Sequence, residues 1–205
     1  MPTRSNTIAI SRQRGSGGSY VGRAVAERLG FRYIDREMLR HAAEYLRSHD
    51  PDEQVNPDRS SWWWRFGEAL ALGGPDCRYV PPPSDAVYEG ELFEIQKRVM
   101  RELVEGHVAV IVGRGAAQVL RGRAGVLSVF LHAPESWRIA RVQQIYGLTD
   151  QRAAQRMVHD SDRDRARFIR ALTGNDWTDV RDYDLTVDTA TIGIDAVVDL
   201  IVRAC

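Results

Sequence analysis

Short, wholly apolar runs alternate along this chain with longer stretches in which apolar residues recur every three or four positions. Thr7-Ile-Ala-Ile-Ser11 predicts a buried strand that runs into a glycine-rich turn at Gly15 to Gly18. The spacing of Val21, Ala24, Val25 and Leu29 predicts a helix from about Ser19 to Leu29, stopped by Gly30. Phe31–Asp35 reads as a second short strand, and residues 36–46 as a helix. A helix from Ser84 to Glu105 carries the stripe Leu92, Ile95, Val99, Met100 and Leu103. Val108–Val112 is apolar throughout, as expected of a central parallel strand covered on both faces. Val126–Leu131 and Tyr183–Asp188 read as further strands. Pro134 opens a helix to about Tyr146, since proline suits the first helical turn. Two more helices are expected, Asp150–Leu172, crowded with Arg and Asp, and Ile194–Val202.

Strands alternating with helices predict an α/β fold with a parallel sheet. The length of 205 residues suits one domain. Residues 48–83 interrupt the pattern with Asp50-Pro, Asn56-Pro, Gly73-Gly-Pro and Pro81-Pro-Pro, which marks them as an insert. Trp62, Trp63 and Trp64 in its middle could stack on a base. Packing of the insert onto the body, or onto a second copy in a homodimer, is the favoured reading of that run. In parallel sheets ligands bind at the carboxyl ends of strands. The loops after Ser11, Asp35, Val112, Leu131 and Val187 are therefore where chemistry is expected.

Composition narrows the partners. The 28 basic residues balance 28 acidic ones, so the chain lacks the overall basic footprint of a nucleic-acid binder. Lys97 is the sole lysine; every other cation is an arginine, whose planar fork suits phosphate and carboxylate. Cys77 and Cys205 show neither a disulfide framework nor metal-ligand spacing. No stretch approaches the roughly 18 apolar residues of a membrane span, and the opening residues have no apolar core of signal-peptide length. A cytoplasmic protein that does not engage a membrane is expected.

Ser11-Arg-Gln-Arg-Gly15-Ser-Gly-Gly18-Ser19 lies in the first strand-to-helix turn. Glycines there let backbone N–H groups face an anion, and the helix N-terminus adds partial positive charge. The candidate ATP-phosphate ligands are Arg14, Gly15, Ser16, Gly17, Gly18 and Ser19. In the pattern G-x-x-x-x-G-K-[ST], Gly17 takes the last glycine and Ser19 the hydroxyl that meets Mg²⁺. The first glycine position is then Arg12 and the lysine position is Gly18. Arg12, Arg14 or a distant arginine must replace that lysine, or the site binds without efficient transfer.

Ile10-Ser-Arg-Gln-Arg-Gly-Ser-Gly-Gly18 resembles the opening of the cytidylate kinase-like family. Ile111-Val-Gly-Arg-Gly-Ala116, Val129-Phe-Leu-His-Ala-Pro134, and Asp162-Arg-Asp-Arg-Ala166 with Gly174-Asn-Asp-Trp177 and Tyr183-Asp-Leu185 agree in the same order. The resemblance implies a P-loop nucleoside monophosphate kinase fold: a five-stranded parallel sheet flanked by helices. It also implies a monophosphate-binding insert and a helical lid, here at about residues 135–172. The implied reaction moves the γ-phosphoryl group of ATP to CMP or dCMP with Mg²⁺, by positioning and charge neutralisation.

On that resemblance the acceptor nucleotide falls to Asp35, Arg40, Arg114, Asp162 and Arg165. Mg²⁺ falls to Ser19 and Asp35. Arg12, Arg138 and Arg163 are the arginines expected at the transferring phosphoryl, with Arg141, Arg167 and Arg170 nearby on the same charged helices. Each has a plainer reading. Asp35 would serve equally as a helix N-cap, Arg114 as a sheet-edge ion pair, and the Asp/Arg helix as a solvated face. Trp177 reads as structural. The rival function is a nucleotide-binding regulatory module with little or no transfer, favoured by Gly18; a third is a phosphotransferase of this fold with another acceptor.

Overall fold

The computed structural model describes residues 5–35, 38–39 and 86–205. The insert 48–83 with its Trp62–Trp64 run, the acceptor candidate Arg40, and all of the expected 36–46 helix except Met38 and Leu39 lie outside those residues. The chain divides into two units, residues 1–34 with 103–205, and residues 35–102.

The first unit is built on five parallel strands in the order β2-β3-β1-β4-β5: β1 (Thr7–Arg12), β2 (Arg32–Ile34), β3 (Ala109–Val112), β4 (Val126–His132) and β5 (Leu185–Asp188). β1 is central, with Ile8 paired to Val110 on one side and to Leu127 on the other. Its apolar residues are needed on both faces, and Thr7 to Ile10 are wholly buried. The helices are α1 (Gly18–Leu29), the end of α2 (Ala86–Gly106), α3 (Ala116–Val119), α4 (Glu135–Tyr146), α5 (Gln151–Thr173), α6 (Thr189–Ile192) and α7 (Ile194–Ala204).

One face of the sheet packs against α1 and α7. Ile8, Ile10, Val110, Val112, Val129 and Leu131 meet Val21 and Val25 of α1 and Val197, Val198 and Ile201 of α7. Burying each such side chain contributes about 1.5–3 kcal/mol relative to leaving it exposed. Gly22 brings α1 close: a Cβ there would lie 2.5 Å from Val112 Cγ2 and 3.3 Å from the Tyr33 ring. On the opposite face Phe130 stacks on Tyr183 and meets Trp177 edge-on, with centroids 5.0 and 5.6 Å apart. Trp177 is thus part of the packing, and its carbonyl accepts from the Tyr183 hydroxyl at 2.6 Å.

α4 and α5 form an antiparallel pair with a small core of their own, Ile139, Val142, Ala154 and Val158. Asp150 caps α5, its side chain accepting from the Arg152 N–H at 2.8 Å. Pro134 stands at the N-cap of α4, one residue before the helix rather than within its first turn.

In the second unit α2 begins at Ala86, with Val99 and Met100 of the expected stripe fully buried. The side chains of Leu92 and Leu103 lie outside the described set.

The last strand is shorter than the apolar pattern predicts. It begins at Leu185, after a 3₁₀ turn at Val180–Asp182. The reason is Asp184, whose carboxylate accepts from the Ser128 N–H at 2.8 Å and its hydroxyl at 2.6 Å. A side chain thus fills the place of a ladder partner at the start of β5. Asp184→Ala leaves the buried Ser128 N–H unmatched and should cost about 1–2 kcal/mol. Denaturant unfolding measures this; a loss below about 0.5 kcal/mol would mean that the clasp does not hold β5.

Candidate active site

The glycine-rich turn expected to hold phosphate joins β1 to α1. Gly15 and Gly17 both adopt left-handed backbone, with φ of 85° and 86°, which lets the chain turn sharply between strand and helix. Gly17 is the N-cap of α1, and no side chain caps that helix among the described residues. Its first N–H groups are therefore available to an anion. Ser16 closes the loop internally through Oγ to the Gln13 carbonyl at 2.9 Å. Ser19 is exposed on the first turn of α1.

One carboxylate organises the loop's flank. Asp162 of α5 accepts from the Arg14 backbone N–H at 2.7 Å, from Arg165 at 2.8 Å and from Arg138 at 2.7 Å. Arg138, from α4, also donates Nε to the Ala133 carbonyl at 2.9 Å and Nη1 to the Arg14 carbonyl at 3.1 Å. It is 6% exposed. Gly15 fits against it so closely that a Cβ would lie 2.7 Å from the Arg138 carbonyl oxygen. The guanidinium of Arg14 points the other way, onto the Tyr146 hydroxyl and ring and towards Met157 Sδ at 3.8 Å.

Arg141 lies one helical turn beyond Arg138 and differs from it. It stacks over Trp137, 5.5 Å from the ring centroid, and has no carboxylate partner among the described residues. Its Nε is buried without a hydrogen-bond partner among those residues. Its Nη2 would stand 3.8 Å from a Cβ placed on Gly17, against the glycine-rich loop. A buried, unmatched cationic donor costs more than an ordinary lost hydrogen bond, so this position suits an incoming anion.

At the carboxyl end of β3, Gly113, Arg114 and Gly115 are all left-handed, with φ of 90°, 52° and 69°. Arg114 is the one non-glycine residue with positive φ among the described residues, a conformation that costs of order 1 kcal/mol or more. Its guanidinium lies 5.0 Å over the Phe168 ring of α5. The same helix thus meets the phosphate loop through Asp162 and the end of β3 through Phe168.

Arg12 runs along this edge. A Cβ on Gly18 would fall 2.5 Å from Arg12 Cγ, 2.7 Å from its Cβ and 3.3 Å from its Cδ. One on Gly113 would meet the guanidinium, with Cζ 2.9 Å away and Nη1 closer.

The structure therefore brings Arg12, Arg14, Gly15 to Ser19, Arg114, Arg138, Asp162 and Arg165 to one end of the sheet. Arg163 is elsewhere, exposed on α5 and paired with Asp160 at 2.5 Å. Asp35, in the second unit, caps its own turn by accepting from the Met38 N–H at 3.2 Å. Beside the site, Tyr183 accepts from Gln118 at 2.7 Å, and burial pushes its hydroxyl above the ordinary value of 10.0. The hydroxyl stays a donor to Trp177. The parts of Tyr146, Phe168, Trp137 and Gln118 have no sequence signal, because each acts through a contact with a residue distant in the chain.

A family model for the cytidylate kinase-like family matches residues 7–191. A cytidylate kinase from Methanopyrus kandleri is 25% identical over 192 residues, covering 91% of this chain and 86% of that one. An uncharacterised protein from Eubacterium ventriosum superposes with a TM-score of 0.70 at 22% identity, over 97% of this chain and 96% of the other. Shikimate kinase from Acinetobacter baumannii, solved with shikimate, gives 0.50 at 15% identity, over 99% and 93%. Those two structures share the fold.

Removing the organising carboxylate should show how the flank is held. Asp162→Ala strands the buried Arg138 charge and should cost about 3 kcal/mol, with Asp162→Asn milder. Denaturant titration of both variants decides this; equal stability of Asp162→Ala and wild type would mean that Asp162 does not hold the loop.

Proposed function

The chain belongs to the cytidylate kinase-like family, and from that premise we propose that it transfers the γ-phosphoryl group of ATP to CMP or dCMP, giving ADP and CDP or dCDP. Family and fold together support a kinase-like phosphotransferase. The acceptor in this reading follows from the family; the observation that carries the phosphate handling is the glycine-rich loop whose helix has no side-chain cap among the described residues, with Arg141 Nη2 3.8 Å from the place of a Cβ on Gly17 and its Nε without a partner among those residues.

Phosphoryl transfer is promoted by alignment and by neutralising charge spread over the phosphate oxygens. The loop N–H groups and α1 would hold the ATP phosphates. We assign the arginine at the transferring group to Arg141 in place of Arg138, whose donors already hold the loop and Asp162. Arg163 is left as surface, since its charge is met by Asp160. Arg114 and Arg165 are assigned to the acceptor phosphate, and Asp162 to holding Arg165 and the loop in place. Mg²⁺ would be held from the protein by the exposed Ser19 hydroxyl, which fits its preference for oxygen ligands and retained waters. The ion would supply further charge neutralisation of the phosphates. Closure of α4 and α5 over the nucleotides would exclude water and limit wasteful ATP hydrolysis. No described helix is long and apolar enough to cross a membrane, and the soluble substrates fit activity in the cytoplasm.

The test is ADP formation from ATP and Mg²⁺ against each nucleoside monophosphate, with ATP binding by calorimetry alongside. Turnover with CMP or dCMP supports the proposal. Turnover with another acceptor keeps the loop assignment and moves the specificity. Binding without turnover favours a regulatory module, the reading that glycine at position 18 suggests. Absence of ATP binding overturns the loop assignment. Arg141→Ala should weaken ATP binding by about tenfold or more, the scale of a hydrogen bond to a charged group; unchanged binding removes Arg141 from the site.

A further inference from the structure

Gly18 is glycine for a reason the loop's conformation does not supply. Its φ is not positive, so an ordinary side chain could adopt its backbone. It is also the first residue of a helix, where glycine is a poor former. What excludes a side chain is space: the Cβ, Cγ and Cδ of Arg12 all lie within 3.3 Å of where its Cβ would be. The same arginine continues to the end of β3, where its Cζ and Nη2 lie 2.9 and 3.2 Å from the place of a Cβ on Gly113. β1 and β3 are paired neighbours here, with the Gly113 N–H on the Ile10 carbonyl at 2.9 Å. Arg12 is therefore a strap that leaves the last residue of β1, passes the first residue of α1 and ends at the carboxyl edge of β3.

We propose that Arg12 supplies, through the space of the missing residue-18 side chain, the phosphate-directed charge of this loop, and that Gly18 is glycine to let it pass, while Gly113, glycine already for its φ of 90°, leaves room for the guanidinium at the far end. This rests on the reading of the loop as an ATP site. The loop pattern places a lysine at position 18, reaching the outer phosphates as a compact point charge. Here the stem of Arg12 fills the space such a lysine would enter, and its guanidinium ends on the sheet edge where ligands bind in parallel α/β folds. The replacement brings a planar fork able to bind two phosphate oxygens at once. The three positions form one unit: a side chain at 18 and the arginine at 12 exclude each other.

The experiment compares wild type with Arg12→Met, Arg12→Lys, Gly18→Lys and the double variant Arg12→Ala/Gly18→Lys. Each is read by thermal melting and by calorimetry with ATP and Mg²⁺. Arg12→Met keeps the stem and loses the charge, so it should melt within a few degrees of wild type and bind ATP about tenfold more weakly or worse. Arg12→Lys should keep more of that affinity than Arg12→Met. Gly18→Lys forces two stems into one space, so it should melt lower and lose ATP affinity. The double variant should regain both. Wild type that binds ATP with Arg12→Met equal to it overturns the charge assignment alone. Gly18→Lys melting and binding like wild type overturns the shared space. Wild type that fails to bind ATP overturns the ATP-loop reading and the phosphate role together, while the melts of Gly18→Lys and the double variant still judge the packing.

Discussion

The carboxylate of Asp162 fixes the geometry on which the rest of the site depends. It accepts from a backbone N–H of the glycine-rich loop, from Arg138 on the neighbouring helix and from Arg165 one turn along its own. A single acidic side chain thereby ties the loop, α4 and α5 together. The tie is costly to break because it is partly withdrawn from water, with Arg138 nearly buried; removing either partner would leave the other's charge with little solvent to screen it. Gly15 completes it from the other side, since a larger residue would collide with the Arg138 backbone. Any closure of α4 and α5 over the loop would have to pivot about this tie, because carrying Asp162 away would break several of these contacts at once.

This arrangement sorts the arginines into two kinds. Arg138 and Arg14 serve the architecture, one through the Asp162 pair and two carbonyls, the other through Tyr146 and Met157. Arg141 and Arg12 lie instead close to the glycines, Arg141 against Gly17 and Arg12 against Gly18 and Gly113. Lysine could not do the structural work as well: Arg138 donates in three directions from a rigid plane, which an ammonium on a flexible stem does less reliably. A chain with one lysine can therefore build both the support and the proposed phosphate-binding charges from one residue type.

The sheet, the loop and the main helices of the first unit were legible in the sequence, because continuous apolar runs and glycine spacing are local signals. Val108–Val112 and the Gly15–Gly18 turn could be placed before any contact was known. The sorting of arginines was not legible. Arg138 and Arg141 are three residues apart on one helix face, and nothing local tells which will find Asp162. The same holds for β5, whose start was set back from Tyr183 because Asp184 bonds Ser128 across 56 residues. The choice of glycine at position 18, which reads in sequence as a defect in the loop pattern, is explained by where Arg12 lies in space. The glycine-rich turn itself is legible because its signal, small residues between a strand and a helix, needs no distant partner.

The left-handed backbone of Arg114 has an evolutionary side. Between two glycines that already turn the chain, an arginine at φ 52° is the least comfortable residue of the three. Glycine or asparagine there would relax the backbone. Selection for thermal robustness alone would push this position away from arginine, while selection for an anion grip at the sheet edge would keep it. Laboratory evolution for heat tolerance, run without a functional screen, would find one of its cheapest gains at this residue and discard the guanidinium with it.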